Sequence, residues 1–305
     1  MFKPRVDILM ATYNGEKYLT TQLQSILQQD YHDWRLLIHD DGSVDDTLEI
    51  IRSFSRTDRR IVLLEDEVKS LGAAQNFLHL LTHTDADYIF FADQDDWWFP
   101  NKISKQLAAF PNTEEPIAQY CNAHYLIGQQ VVKKKVNQLH PVKISQQLFL
   151  NGGIVGCTIL INRALQQLLS PPPGVVAMHD YLMVTAALTF GKLVYLDMPL
   201  MHYRQHDHNV TGKQERGFYA KFTGKFLSKR TLVDDRHFQA NKAFYSRYNV
   251  QLSTASRKVF EAYLAIIQEK NIFNKFVLLH RYRFQLAHKK YLLYLKTILR
   301  KTLND

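Results

Sequence analysis

Four short apolar runs, at residues 6–11, 34–39, 61–64 and 88–92, divide the first third of the chain. Each has the length of a buried strand, and the gaps between them carry helical periodicity. Leu19, Leu23, Ile26 and Leu27 make one buried stripe, Leu48, Ile51 and Phe54 a second, and residues 73–81 a third helix. Strands that alternate with helices imply an α/β architecture, a mainly parallel central sheet flanked by helices and buried on both faces. Such a sheet binds ligands beyond the carboxyl ends of its strands. Three of the runs end in polar clusters: Thr12-Tyr13-Asn14, Asp40-Asp41-Gly42-Ser43 and Asp93-Gln94-Asp95-Asp96.

The charge is split along the chain. After residue 212 there are 20 Lys/Arg against 6 Asp/Glu, and before it 18 against 23. The division predicts an acidic body, residues 1–212, and a basic region, residues 213–305. No proline follows Pro199, and apolar residues recur at three- and four-residue intervals, so the basic region reads as α-helical. It either packs on the body with solvated basic faces or attaches to an anionic membrane surface. Nucleic acid is not the expected partner, because no helix-turn-helix, RNA-binding sheet or zinc-finger pattern accompanies the charge. With 46% hydrophobic residues in 305, the chain can bury a full core, which excludes a disordered or disulfide-stapled protein. No apolar stretch approaches the roughly 18 residues of a membrane span, and the first residues lack a cleavable-signal layout. The expected location is cytoplasmic, or peripheral at the inner face of the plasma membrane. Cys121 and Cys157 lack metal-ligand spacing and read as free thiols.

The rim chemistry narrows further. ATYNGEKYL after the first strand lacks the glycine spacing of a dinucleotide fold, and no P-loop occurs. Phosphates at this rim need another source of positive charge. Asp93, Asp95 and Asp96 crowd into four residues, where ionised carboxylates repel unless a cation lies among them. Oxygen ligands suit Mg2+ or Mn2+, which also bind substrate phosphates. The plainer alternative is a solvated turn with capping aspartates. Asp40 and Asp41 can accept hydrogen bonds from a base or a ribose, or simply form a turn. Arg204 offers a guanidinium fork to a diphosphate. Gly152, Gly153 and Gly156 allow close approach of an acceptor sugar or tight strand packing. Trp97 and Trp98 can stack on a sugar or fill the core.

These residues resemble the family 2 glycosyltransferases with the A-type nucleotide-sugar fold. ATYNGEKYL, HDDGSVDDT and FADQDDWWFPNKI stand in family order, and NGGIVGCTILINRAL with HDYLMVTAALTFGKLVYLDMPLMHYRQHDHNVTG resembles the subgroup of bacterial rhamnosyltransferases. The resemblance implies that Thr12, Tyr13 and Asn14 border the nucleotide, although the family often has Pro where Thr12 stands. It implies that Asp40, or Asp41, holds base or ribose, that Asp93 lies by the ribose and diphosphate, and that Asp95 is a metal ligand with Asp96 beside it. Asp180 matches the catalytic base of an inverting enzyme, His179 would help to position the acceptor, and His206 would be a further metal ligand, with His202 and His208 nearby.

The resulting expectation is an inverting, Mg2+- or Mn2+-dependent transferase that moves a sugar, L-rhamnose from dTDP-L-rhamnose in the first instance, onto a saccharide or lipid-linked saccharide acceptor in cell-surface polysaccharide synthesis. A UDP-hexose donor is the alternative. Two rivals from other classes are a nucleotidyltransferase or phosphohydrolase using the same carboxylates, and a noncatalytic polyanion- or membrane-binding protein.

Overall fold

The structure is a computed structural model that describes residues 4–206, 231–286 and 289–299. The four apolar runs form β1 (Val6–Thr12), β2 (Trp34–Asp40), β3 (Ile61–Leu63) and β4 (Tyr88–Ala92). Between them lie α1 (Glu16–Leu27), α2 (Thr47–Thr57) and α3 (Gly72–Thr82). The strands pair in parallel in the order β3-β2-β1-β4. Thr12 is in register with Asp40, and Met10 with Ala92, so the polar clusters after β1, β2 and β4 emerge along one rim. One charge interrupts the apolar strands. Buried Asp7 is satisfied by Arg35 Nε and Nη2 at 3.0 and 2.6 Å and by Thr84 Oγ1 at 2.5 Å, the condition under which a buried carboxylate is tolerated.

Beyond β4 the sheet becomes mixed. The chain adds β5 (Trp97–Trp98), α4 (Lys102–Ala108), β6 (Ile117–Ile127), β7 (Gln130–Lys135) and β8 (Ile159–Asn162). After these come α5 (Arg163–Leu168), α6 (His179–Phe190) and β9 (Lys192–Gln205). The order is β3-β2-β1-β4-β8-β6-β9-β5, with β7 on β6. β8 is antiparallel to both β4 and β6, whereas β9 runs parallel to β6. Pro199 sits opposite Asn122, where the register shifts, the kind of irregularity at which a strand accepts a residue without an N–H. The antiparallel β5–β9 pair matches Trp97 with His202, which carries the end of β9 back to the rim beside Asp95. This pairing is what unites residues a hundred positions apart.

The C-terminal helices are α7 (Asp235–Tyr248), α8 (Thr254–Gln268), α9 (Ile272–Arg281) and α10 (Lys290–Leu299). Asp234, Ser253 and Asn271 open the first three by accepting backbone N–H groups of the first turn, as good N-caps do. Phe244, Tyr248, Phe260, Tyr263 and Leu279 belong to the same buried cluster as Phe77, Leu148, Phe149, Ile161 and Met183. Each such side chain contributes about 1.5–3 kcal/mol on burial, so these helices are fastened to the sheet by a continuous core. The expected boundary at residue 212 and the stretch 213–230 lie outside the described residues.

Candidate active site

The rim after β1 and β2 is a closed hydrogen-bond network. Asp40 accepts from Thr12 Oγ1 at 2.8 Å, Ser43 Oγ at 2.6 Å, and the Ser43 and Gly42 N–H groups at 2.7 and 3.1 Å. Both of its oxygens therefore hold the protein's own loop. Asp41 accepts from the Leu71 and Gly72 N–H groups, each at 2.7 Å, and so ties the end of β2 to the start of α3. Of the two readings of this pair, the geometry displays the turn.

Asn14 takes a left-handed conformation, φ 47°, at the crossing from β1 to α1. Its N–H donates to Ser43 Oγ and its side-chain oxygen accepts from the Val44 N–H. Tyr13 is 56% exposed. Its N–H donates to Gln94 Oε1 at 2.9 Å and its carbonyl accepts from Gln94 Nε2 at 3.0 Å, which staples the β1 loop to the carboxylate loop. Thr12 is buried by its bond to Asp40, while Tyr13 offers an exposed ring at the rim.

The three aspartates after β4 have different surroundings. Asp96 is fully buried. Its Oδ1 accepts the Arg204 N–H at 3.0 Å, and its Oδ2 has no nitrogen or oxygen donor. Asp93, Asp96 and Cys157 place ligand atoms within 4.8 Å of one another. Burial raises the Asp93 pKa to about 7; Asp95 and Asp180 push in the same direction, while the Cys157 thiol opposes them as a hydrogen-bond donor. Burial, with Asp95 and Asp93, raises Asp96 well above the ordinary carboxylate range. The plain solvated turn is thereby excluded. Asp95 is also raised by burial, with the His206 hydrogen bond drawing it down. His206 Nε2 lies 2.5 Å from Asp95 Oδ2, and the His206 ring packs on Tyr18 at 5.1 Å. Arg204 Nε donates to the Asp95 carbonyl at 2.7 Å, and its guanidinium lies 4.5 Å from the Tyr18 ring centre. Asp95, Arg204 and His206 are thus assembled at one place.

Asp180 is in the first turn of α6, and the Tyr181 N–H donates to it at 2.5 Å. Burial raises its pKa to about 6, against backbone hydrogen bonds from Tyr181 and Gly156. A Cβ on Gly156 would stand 3.5 Å from Asp180 Cβ, and the next residue, Cys157, belongs to the cluster with Asp93 and Asp96. His179 points elsewhere. It is buried against Phe77 and Phe91, with ring centres 4.0 and 5.3 Å away, and neither ring nitrogen has a partner. Burial lowers its pKa to about 3. Its ring thus supports the start of α6 from within the core, beside Asp180. A Cβ on Gly156 would come 2.4 Å from His179 Nε2, so this glycine is required by close packing. Gly152 and Gly153 have φ of 104° and 140°, and a Cβ on Gly153 would meet Leu139 at 2.9 Å. Trp98 is core, at 1% exposure, and Trp97 is 39% exposed beside His202. His208 lies outside the described residues. Cys157, Tyr18 and Gln94 join the site without having been anticipated, and only Gln94, inside the aspartate run, stood where sequence could suggest it.

Comparison with known proteins supplies the family and the fold. The model of the glycosyl transferase family 2 matches residues 7–167. A dTDP-rhamnosyl transferase of Shigella flexneri is 30% identical over 218 residues, covering 67% of this chain and 73% of that protein. A UDP-Glc:α-D-GlcNAc-diphosphoundecaprenol β-1,3-glucosyltransferase of Escherichia coli is 33% identical over 162 residues, 52% of this chain and 61% of that one. Among solved structures, residues 1–349 of TarS from S. aureus, in complex with UDP-GlcNAc, superpose with a TM-score of 0.57 at 16% identity, covering 96% of this chain and 89% of that one.

Proposed function

The chain belongs to glycosyl transferase family 2 and is a glycosyltransferase, and on that premise we propose that it transfers a sugar with inversion from a nucleoside diphosphate donor to a saccharide or lipid-linked saccharide acceptor in bacterial surface-polysaccharide synthesis. The observation that carries this reading is the arrangement of three carboxyl groups. The Asp93, Asp96 and Cys157 ligand atoms lie within 4.8 Å of one another, and Gly156, the residue before Cys157, lies against Asp180 at the start of α6, so one short turn joins the aspartates after β4 to Asp180. A leaving-group site and a base site therefore meet at that turn.

In this reading Asp180 accepts the proton of the acceptor hydroxyl as that oxygen bonds to the anomeric carbon, and the bond from that carbon to the diphosphate breaks on the opposite face. A base raised to about 6 is ionised at neutral pH yet still holds a proton usefully. Arg204 lies beside Asp95 and is suited to the diphosphate. The exposed Tyr13 ring is suited to the base. A divalent cation fits the remaining groups. Asp95 Oδ2 and His206 Nε2, hydrogen-bonded to each other at 2.5 Å, would part to turn their lone pairs to a shared ion, and Asp96 Oδ2 is a buried oxygen without a nitrogen or oxygen donor. Asp95 and His206 would hold Mg2+ or Mn2+, which when bound takes up charge that develops on the leaving diphosphate.

The Shigella flexneri relative favours dTDP-L-rhamnose as the donor. The Escherichia coli relative and the structural neighbour make a UDP-sugar the competing choice. Association with an anionic leaflet is supported by exposed Phe273, Tyr291, Leu295 and Ile298 on α9 and α10, next to basic residues. The test is a thermal-shift screen of dTDP-rhamnose, UDP-glucose and UDP-GlcNAc, each with and without Mg2+ or Mn2+, followed by chromatography of the products. A metal-dependent shift by one donor and release of the nucleoside diphosphate are expected. Release of nucleoside monophosphate or pyrophosphate would mean hydrolysis or nucleotidyl transfer instead.

A further inference from the structure

A second group of metal-binding side chains lies on β2, α3 and the loop after β3. His39, Asp66 and His79 place three ligand atoms within 4.8 Å of one another. His79 Nε2 is 2.7 Å from Asp66 Oδ2, and His39 Nε2 is 3.2 Å from Asp66 Oδ1. The glycosyl-transfer chemistry uses none of these three.

The protonation of His39 is fixed by a neighbour. Asn76 Nδ2 donates to the His39 carbonyl at 3.1 Å, which turns Asn76 Oδ1 toward His39 Nδ1 at 2.8 Å. An amide oxygen only accepts, so Nδ1 carries the ring proton. In the neutral ring, Nε2 then directs a lone pair at the Asp66 carboxylate, and two acceptors face each other across 3.2 Å. The carboxylate is already held as an acceptor, by His79 Nε2 at 2.7 Å on Oδ2 and by the Val68 N–H at 2.9 Å on Oδ1. Something positive has to lie between them: a second proton on a buried imidazole, or a cation.

We propose that His39, Asp66 and His79 form a Zn2+ site, with Asn76 holding the His39 ring for coordination through Nε2. Two imidazole nitrogens and a carboxylate oxygen are a zinc-type ligand set, in contrast to the carboxylate-rich rim. Ligand atoms about 2.0 Å from a tetrahedral ion stand roughly 3.3 Å apart; the His39–Asp66 separation is already 3.2 Å, and the His79–Asp66 pair, hydrogen-bonded at 2.7 Å, would open by about half an ångström to admit the ion. A metal-bound histidine that donates its other N–H to an oxygen is the usual outer-shell arrangement, and Asn76 supplies that oxygen. Asp66 is exposed and His79 half-buried, so an ion can enter and water can fill the fourth position. The ion would clamp the loop at Asp66 and α3 to β2, one residue before Asp40.

The test is a Co2+ titration of chelator-treated full-length protein, because four-coordinate Co2+ absorbs in the visible. Wild type is expected to show the band at one equivalent, Zn2+ to abolish it, and Asp95→Asn to keep it. Asp66→Asn combined with His79→Gln, both at accessible positions, is expected to remove it and to cancel the rise in Tm that Zn2+ gives the wild type, with the far-UV spectrum unchanged. No visible band in the wild type, or a band that survives the double substitution and disappears in Asp95→Asn, would overturn the proposal and leave a protonated His39 as the partner of Asp66.

Discussion

At the scale of single residues, carboxylates of similar sequence context divide by what already satisfies them. Asp40 has four donors, three from its own loop and one, Thr12 Oγ1, from the end of β1. Asp40→Ala should therefore act first on stability, lowering it by about 2–4 kcal/mol in denaturant unfolding, because two N–H groups and two hydroxyls lose a charged acceptor. Asp180 is the opposite case, a carboxylate whose burial outweighs its two backbone donors and raises it from 3.8 to about 6. The group must be ionised to act as a base, so turnover should fall as pH drops through about 6. Its contribution to stability has the reverse sign. A raised pKa favours the protonated folded state, so that contribution is complete below about 3.8 and lost as pH rises through about 6. Asp180→Asn removes both effects. It should reduce turnover by about 10²–10⁴-fold, and above pH 6 it should leave the protein as stable as wild type or more stable by about 1–3 kcal/mol. Wild-type turnover in the purified Asn variant, or a marked drop in its Tm at pH 8, would remove Asp180 from the base role.

At the scale of elements, the site depends on how α6 is seated. Gly156 meets the His179 ring edge-on, and that ring lies between Phe77 of α3 and Phe91 of β4. Asp180 is the next residue and takes a backbone hydrogen bond from Gly156. Gly156→Ala has to push His179 or the first turn of α6 away, at a cost of about 1–3 kcal/mol, and should lower kcat more than it raises KM. His179 itself is lowered to about 3 from 6.5 by burial. Its stability contribution is complete above about 6.5 and lost as pH falls toward about 3. His179→Leu should therefore make acid unfolding begin at lower pH, and an unchanged acid limb would exclude this. The legibility of the sequence follows the same division by element. The β1–β4 half was readable because apolar runs and helical spacing are local signals, and the rim followed from parallel strand ends. The burial of His179 against Phe77 and Phe91 was not readable, because proximity to Asp180 in sequence says nothing about which side of a helix meets the core. Cys157 and Tyr18 were invisible because the pairings that bring them to the aspartates cross the sheet at long range. The bulge opposite Pro199 and the mixed half of the sheet likewise depend on partners, not on local pattern.

At the scale of the whole molecule, basic charge and exposed aromatic rings are found together in the C-terminal part, while β7 sets the smaller Val131 and Val132 beside exposed Lys133, Lys134 and Lys135. The described helices α9 and α10 stack Phe276 on Tyr294 at 5.4 Å and bury Leu279 and Leu293, yet Phe273 is 71% and Tyr291 69% exposed. No helix among the described residues is long and apolar enough to cross a membrane, so these side chains have water or an interface as their surroundings. Lys270, Arg281, Arg283, Lys289 and Lys290 are exposed in the same helical region. Each basic residue near an anionic leaflet contributes about 1 kcal/mol, and an inserted aromatic ring about 1.5–3 kcal/mol. The net acidic charge of residues 1–212 would oppose attachment through most of that part, which makes this end the one to test. Vesicles containing phosphatidylglycerol should therefore sediment the protein at low salt, neutral phosphatidylcholine vesicles should do so far less, and raised salt should release it. Phe273→Ser with Tyr291→Ser removes insertion and preserves charge, and should weaken binding by about tenfold or more while leaving transfer to a soluble acceptor unchanged. Equal sedimentation with both kinds of vesicle at low salt would mean that the basic helices serve the core alone.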